Sequence, residues 1–236
     1  MQLPSGLLHY TTPLGAQYSG DSRLLLQELT AGSVDLFVTS PPFPLLRPKE
    51  YGNPDQDTYV AWLLEFLRPA HRALKPDGSL VVDIGGAYQR GLPVRSLHQF
   101  RLLLACTDRL GFHLAQDFYW HNPSRLPTPA QWVTKRKIRA KDTVTPIWWL
   151  SKTPHPKADT RGVKTPYSAS MRRLLADPRR HFAPGPRPSG HTVSAAFDAD
   201  QGGALPANLL TMPNSASNDA YQRSCRNRGI RPHPAR

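Results

Sequence analysis

The sequence lacks the features expected of an exported, membrane-spanning or metal-binding protein. Its 236 residues include only two cysteines, Cys106 and Cys225, too far apart to suggest a disulfide framework or a cysteine-based zinc site. No apolar run approaches the roughly 18 residues that a membrane span needs, and the N-terminal stretch does not resemble an export signal. The histidines show no metal-ligand spacing. We therefore predict a cytoplasmic protein that contains no metal.

Acidic residues are also scarce. The chain has 17 Asp and Glu against 30 Lys and Arg, which gives a net charge of +13 and a pI near 10.2. Such an excess is typical of proteins that bind a polyanion, most often nucleic acid. A ribosome-like protein or one that binds a membrane surface would have the same balance, so the charge alone leaves these alternatives open.

Apolar segments in the first half alternate between strand-like and helix-like patterns. Strands alternating with helices predict an α/β domain with a largely parallel sheet. Pro69 falls within the first helical pattern and should kink or split that helix. The predicted elements are a strand at Val34–Val38, a helix capped by Asp57, a strand at Ser79–Ile84 after a turn at 75–78, a helix at Ser96–Leu110 ended by Gly111, and a strand at His113–Trp120.

The second half is rich in proline and basic residues. A further strand is predicted within "TVTPIWWLSK" and a short helix over about Ser168–Leu175. From Ala176 to Arg236 the sequence has little periodicity, which predicts either an extended arm packed on other structure or a partly disordered tail.

The first chemical signal is the segment "TSPPF" at the end of the first predicted strand. Pro41 and Pro42 lack backbone N–H donors, so the segment presents carbonyl acceptors beside the Ser40 hydroxyl. Phe43 supplies a ring on which a planar group could stack. This combination suits an amino group on an aromatic ring, such as the exocyclic amine of a nucleobase. Alternatively, the two prolines only end the strand.

The second signal is Asp83, which interrupts an apolar strand just before Gly85 and Gly86. A carboxylate at this strand end could orient Ser40 or stabilise charge on a reacting amine. Alternatively, backbone amides of the glycine turn satisfy it. The glycine pair lacks the spacing of a dinucleotide-binding fingerprint.

The third signal is the segment "KRKIRAK", which follows Trp132 in a proline-rich stretch. It favours contacts with phosphates, although a solvated charged face is the alternative. Neither cysteine follows a proline as in cytosine-C5 methylating enzymes, which argues against covalent attack on a pyrimidine ring. The candidate nucleic-acid-binding residues, which the family resemblance described below assigns to DNA recognition, are Trp132, Lys135, Arg136, Lys137, Arg139 and Lys141.

The ordered series of motifs resembles the β-group of amino-methyltransferases that act on DNA, and specifically its cytosine-N4 branch. The motifs are "GDS", "SVDLFVTSPPF", "LKPDGSLVVDIGGAY", "DFYW", "KRKIR", "WW-SKT" and "RPSGH". The resemblance extends from about Tyr10 to Arg236. It implies a circularly permuted, Rossmann-like class I methyltransferase sheet that is incomplete here, with a loop-rich target-recognition region. Residues 1–120 would form the catalytic half, 121–232 the target-recognition region with returning core strands, and 233–236 the start of the cofactor side.

The resemblance also implies roles for individual residues. Ser40, Pro41, Pro42 and Phe43 would hold a cytosine flipped out of double-stranded DNA, with Asp83 beside Ser40. The cytosine N4 atom would attack the methyl group of S-adenosylmethionine in a restriction–modification system. The residues implied on the cofactor side are Asp21, His233, Pro234 and Arg236.

One expected motif is missing from the sequence. The cofactor-binding segment D-x-F-x-G-x-G/T of this family occurs nowhere in the chain. We therefore expect a fragment, or one chain of a split enzyme whose second polypeptide supplies that segment, with an unpaired apolar edge on the Val34–Val38 strand. The alternatives are a DNA-binding module without turnover and an RNA or protein-amide methyltransferase. The sequence does not fix the DNA target, although the resemblance suggests a CAGCTG-like palindrome.

Overall fold

Seven strands, six α-helices, one π-helical turn (Gln131–Lys135) and one 3-10 helix (Arg161–Val163) make up the regular structure of the described residues. The computed structural model describes residues 3–44, 52, 54–182, 188–190, 198–213 and 220–229. The strands are β1 (Leu7–Thr12), β2 (Gly15–Ser19), β3 (Val34–Thr39), β4 (Leu74–Asp83), β5 (His113–His121), β6 (Val144–Ser151) and β7 (Leu209–Thr211). The helices are α1 (Ser22–Glu28), α2 (Tyr59–Ala73), α3 (His98–Leu110), α4 (Ala169–Ala176), α5 (Pro178–His181) and α6 (Ala220–Asn227).

Strands β3 to β7 form one mixed sheet in the order β3-β4-β6-β5-β7. The pairs β3/β4 and β5/β7 are parallel, whereas β6 is antiparallel to both β4 and β5. The predicted largely parallel sheet is therefore wrong, although the α/β class is confirmed. Residues 122–143 connect β5 directly to an antiparallel neighbour, so this pair needs no crossover helix.

Helix α2 covers the sheet with one apolar face and runs unbroken through Pro69. The predicted split at Pro69 is wrong, because one missing backbone donor does not outweigh the packing of a 15-residue amphipathic helix. The N-cap of this helix is Thr58 rather than the predicted Asp57, and the helix begins at Tyr59. The core joins this face to β4, β6 and α3 through Tyr59, Leu63, Leu67, Leu80, Val82, Leu102, Cys106, Trp148 and Leu150.

Helix α3 ends as predicted, since Gly111 adopts a left-handed conformation with φ of 76°. Its start is later than predicted. Ser96 lies before the helix, where its N–H donates to the carbonyl of Ala87 and its hydroxyl contacts His98. Helix α3 therefore begins next to the segment that follows β4.

Strand β3 is the edge of the sheet, and among the described residues it pairs only with β4. Its outer residues Leu36 and Val38 are 52% and 70% exposed. The predicted apolar edge is thus observed. The turn predicted at 75–78 is instead an irregularity within β4, because pairing with β3 is interrupted between Leu74 and Ser79.

The chain divides into two units, residues 1–157 with 208–236 and residues 158–207. In the second unit, Ser168 caps α4 by accepting a hydrogen bond from the N–H of Met171. Among the described residues after Ala176, the chain forms α5, β7 and α6, three elements that the sequence did not predict. No helix in the described ranges is long and apolar enough to span a membrane, and no cluster of three metal-ligating side chains occurs there.

Candidate functional site

Two strand ends bring Ser40 and Asp83 together. Strands β3 and β4 are parallel, with Thr39 opposite Val82, so their next residues lie at the same edge of the sheet. The Ser40 hydroxyl donates a hydrogen bond to Asp83 Oδ2 at 3.1 Å. This contact leaves the lone pairs of the Ser40 oxygen available to accept from another donor.

The Asp83 carboxylate is partly buried. Burial raises its pKa above the ordinary value, while the hydrogen bond from Ser40 opposes that rise. Within the described part of the chain, the buried Oδ1 atom has no hydrogen-bond partner, and neither does the buried hydroxyl of Tyr59. Burial and the charge of Asp83 together raise the pKa of Tyr59. Asp83 is thus a carboxylate with unused acceptor capacity at a strand end.

The segment after Ser40 is fixed by contacts with the segment after β4. The Gln56 side-chain amide donates to the carbonyls of Pro44 and Tyr88 at 3.1 and 3.0 Å. Phe43 lies against Gly85 so closely that a Cβ atom on Gly85 would be 2.5 Å from Phe43 Cδ2. Gly85 is therefore required for the observed position of the Phe43 ring. It is not required by a positive φ.

A cavity of about 400 Å³ adjoins the Ser40–Pro42 segment. Its walls come from the carboxyl end of β3, from α1, from the apolar face of α2 and from Leu80 of β4, and they are mostly apolar. The lining residues nearest the strand end are Thr39, Ser40, Pro41 and Pro42, and those from the helices include Ser22, Leu26, Trp62 and Phe66.

Three residues of the site were not predicted from sequence. Gln56 bridges two loops as described above. His98, the first residue of α3, contacts the carbonyl of Gly85, and the Arg95 guanidinium lies against Gly86 and forms a 2.6 Å ion pair with Asp142. Of these contacts, only that of His98 had a local signal in the sequence, because a polar residue there falls on the apolar side of a predicted helix.

The basic segment forms an exposed surface after a π-helical turn at Gln131–Lys135. Arg136 lies over the ring of Trp132 at 5.8 Å. Arg139 donates to the carbonyl of Pro93, and Lys141 donates to the carbonyls of Pro123 and Arg125. None of the segment's five cations forms an ion pair with an acidic residue in the described ranges. Their charges are thus not neutralised by salt bridges there.

Of the four predicted cofactor residues, only Asp21 lies within the described part of the chain. Asp21 caps α1, where its carboxylate accepts from the backbone N–H of Arg23 at 2.9 Å and forms an ion pair with that arginine at 2.7 Å. This ion pair keeps the pKa of Asp21 below its ordinary value. His233, Pro234 and Arg236 lie outside the described residues. The roles of all four in cofactor binding remain predictions.

Comparison with known proteins gives consistent matches. A family model for DNA methylases of the N6/N4 type matches residues 34–236. The type II methyltransferase M.PvuII of Proteus hauseri is 52% identical over 96% of this chain and 68% of its own length. M.SfiI of Streptomyces fimbriatus is 30% identical over 70% of this chain and 42% of its own length.

The solved structure of the cytosine-N4-specific PvuII DNA methyltransferase is also similar. It superposes with a TM-score of 0.68 at 44% identity, over 94% of this chain and 65% of that chain. The 236 residues therefore span about two thirds of the PvuII enzyme and less than half of M.SfiI.

Proposed function

The chain belongs to the N6/N4 DNA methylase family, and we propose that it forms the base-binding and DNA-recognition part of a cytosine-N4 methyltransferase. The methyl group would come from S-adenosylmethionine, and the acceptor would be the exocyclic amine of a cytosine flipped out of duplex DNA in a restriction–modification system. The proposal also adopts the permuted order, with the catalytic half first, the recognition region next and the cofactor side last. M.PvuII and the cytosine-N4-specific PvuII structure support this choice of substrate.

The observation that carries the proposal is the hydrogen bond between Ser40 and Asp83 at the carboxyl ends of two parallel strands. Because Ser40 donates its proton to Asp83, its oxygen can accept an N–H of the cytosine amine. Pro41 and Pro42 follow without competing N–H donors. The site is therefore rich in acceptors where an amine must be held.

When bound, S-adenosylmethionine would supply the methyl group: the bond from the cytosine N4 atom to the methyl carbon would form as the sulfur–methyl bond breaks, which would leave S-adenosylhomocysteine. Positive charge then develops on N4, and acceptor groups placed in advance stabilise it. The Asp83 carboxylate lies one hydrogen bond behind Ser40, so the proton that N4 loses can pass through the serine hydroxyl to Asp83. A raised pKa makes Asp83 a better proton acceptor than an ordinary aspartate.

The described residues fit the cofactor in part. The 400 Å³ cavity reaches the Ser40–Pro42 segment and has apolar walls, which suits the aliphatic part of such a ligand. The Asp21 carboxylate, however, is already ion-paired with Arg23. The glycine-rich motif typical of the family is absent from the sequence. The chain can thus present the acceptor base, while a complete cofactor site needs further groups.

We infer that those groups come from polypeptide outside these 236 residues. The outer edge of β3 supports this view. Among the described residues no strand pairs with it and Leu36 and Val38 are exposed, so it offers backbone groups and apolar surface for another strand. The chain alone would then bind S-adenosylmethionine weakly or not at all.

The proposed function is tested by mixing the purified chain with the part of M.PvuII that the chain does not cover. We call this mixture the complemented enzyme. Duplex DNA containing CAGCTG and tritiated S-adenosylmethionine are added, and the nucleosides are then separated. We expect N4-methylcytosine from the mixture and none from the chain alone. Production of N6-methyladenine, or strong turnover by the chain without the second polypeptide, would contradict the proposal.

The alternative is that the chain only binds DNA. The exposed cations near Trp132 serve that function equally well, so DNA affinity does not discriminate between the two. A complemented enzyme that binds the duplex but transfers no methyl group under any condition would favour the DNA-binding module.

A further inference from the structure

His98 is a buried polar residue to which the proposed reaction assigns no role. Only 1% of its surface is exposed, and both of its ring nitrogens have hydrogen-bond partners within the protein. Nδ1 lies 3.1 Å from the Ser96 hydroxyl and Nε2 lies 3.1 Å from the Gly85 carbonyl. The ring therefore bridges the start of α3 and the turn that follows Asp83.

The partners determine which nitrogen donates. Burial lowers the pKa of His98, so the ring is neutral near neutral pH. A carbonyl can only accept, so Nε2 carries the proton and donates to Gly85, while Nδ1 accepts from Ser96. The ring of Tyr59 packs against the imidazole edge to face, with centroids 5.3 Å apart. These contacts give His98 a single orientation.

The fixed carbonyl matters because Gly85 is in direct contact with Phe43. A Cβ atom placed on Gly85 would come within 2.5 Å of the Phe43 ring, so the ring lies directly on the glycine backbone. Any shift of Gly85 therefore displaces Phe43. Asp83 lies only two residues earlier on the same segment.

We propose that His98 is a positioning residue, which holds the Gly85 backbone so that Phe43 lies where it can stack on the flipped cytosine. The stacking of the base on Phe43 rests on the proposed function. The geometric link from His98 through Gly85 to Phe43 does not depend on that function. An aromatic ring in contact with a base contributes only when it has the correct position and tilt.

The geometric link can be tested by fluorine NMR on the chain labelled with 4-fluorophenylalanine. The chain has eight phenylalanines, and Phe43→Leu identifies the Phe43 resonance by its loss. In His98→Leu, which lacks the donor, we expect the Phe43 resonance to shift or broaden. In His98→Gln, whose side-chain amide can still donate to Gly85, we expect it to return towards its original position.

His71 offers a matched control. It is half-buried and packs edge to face on Phe112, with ring centroids 4.7 Å apart. His71→Gln should move the Phe112 resonance and leave that of Phe43 in place.

If His98→Leu does not fold, Ser96→Ala removes only the Nδ1 partner and should still move the Phe43 resonance. An unmoved Phe43 resonance in a folded His98→Leu or Ser96→Ala variant would overturn the inference.

The consequence for base binding is measured with a fluorescent cytosine analogue at the target position of a CAGCTG duplex. We expect wild type to change the fluorescence, His98→Leu to lose most of that change, and His98→Gln to recover it, all with similar duplex affinity. If wild type gives no change while the Phe43 resonance still responds to His98, the proposed function fails and the link stands. If His98→Leu matches wild type in fluorescence, the positioning role is wrong.

Discussion

The base site and the basic segment are built in different ways. Around Ser40 and Asp83, specific contacts link the residues: Ser40 donates to Asp83, the Phe43 ring lies against Gly85, and the Gly85 carbonyl contacts His98. In the segment from Lys135 to Lys141, the cations are exposed and none has an acidic partner in the described ranges.

This difference matches two kinds of recognition. Methyl transfer requires the acceptor atom to be placed within a fraction of an ångström, so packing and directional hydrogen bonds suit it. Phosphate contacts act through charge over longer distances, and exposed flexible cations are sufficient for them. Substitutions at the base site should therefore have large, specific effects, whereas those in the basic segment should be graded and sensitive to salt.

The largest effect is expected from Asp83→Asn. The amide cannot take up the proton or stabilise positive charge on N4, so the methyl-transfer rate of the complemented enzyme should fall by about 100- to 1,000-fold. Duplex affinity should change little, because Asp83 is partly buried and does not belong to the basic surface. Single-turnover kinetics and fluorescence anisotropy measure the two quantities. A parallel loss of DNA affinity would contradict the separation of catalysis at the base site from DNA binding by the basic segment.

Gly85→Ala should lower the rate by about 100-fold, since the new methyl group must displace the Phe43 ring. The matched control is Gly86→Ala. Its methyl group would meet the guanidinium of Arg95, with Cζ at 2.8 Å, and the end of a flexible side chain can move aside more easily. We therefore expect Gly86→Ala to cost much less. Equal losses of rate in the two variants would show that the position of the Phe43 ring does not determine the methyl-transfer rate.

The pH dependence of the rate should respond to Ser40. The hydrogen bond from Ser40 lowers the pKa of Asp83, opposing the rise caused by burial. Removing it in Ser40→Ala should raise the pKa further, so the rate should begin to fall at a higher pH as the solution is acidified. A pH–rate profile of the complemented enzyme, compared with wild type, checks this shift. A shift towards lower pH would contradict the assigned contact.

The smallest effects are expected in the basic segment. Lys135→Ala and Lys137→Ala should each weaken duplex binding by a few fold and reduce the salt dependence of affinity by about 0.9 in log–log slope. Arg68→Ala, which removes an exposed cation from α2, serves as the control. Titrations at several salt concentrations measure the slopes. If the lysine variants match Arg68→Ala, the phosphate-binding surface lies elsewhere.

Sequence patterns predicted the parts of the site that depend on local signals. The apolar runs of β3 and β4 end in Ser40-Pro41-Pro42 and Asp83, and a polar residue that ends a buried strand is visible without a structure. The left-handed cap at Gly111 is a local signal of the same kind.

Long-range pairing could not be predicted in this way. The position of β6 between β4 and β5 depends on which strands meet in space, and an apolar run does not specify its neighbours. The β1–β2 hairpin was missed because most of its residues are exposed and show no alternation. Gln56, Arg95 and His98 act on residues 12 to 47 positions away, which no local pattern reveals.

The most direct test of the account is whether Phe43 holds a flipped cytosine independently of DNA affinity. A CAGCTG duplex with a fluorescent cytosine analogue at the target position is titrated with wild type, Phe43→Ala and Lys137→Ala. We predict that Phe43→Ala binds the duplex as tightly as wild type but loses the fluorescence change, while Lys137→Ala binds more weakly and shows the full change at saturation. A full change with Phe43→Ala, or none with wild type, would contradict the account.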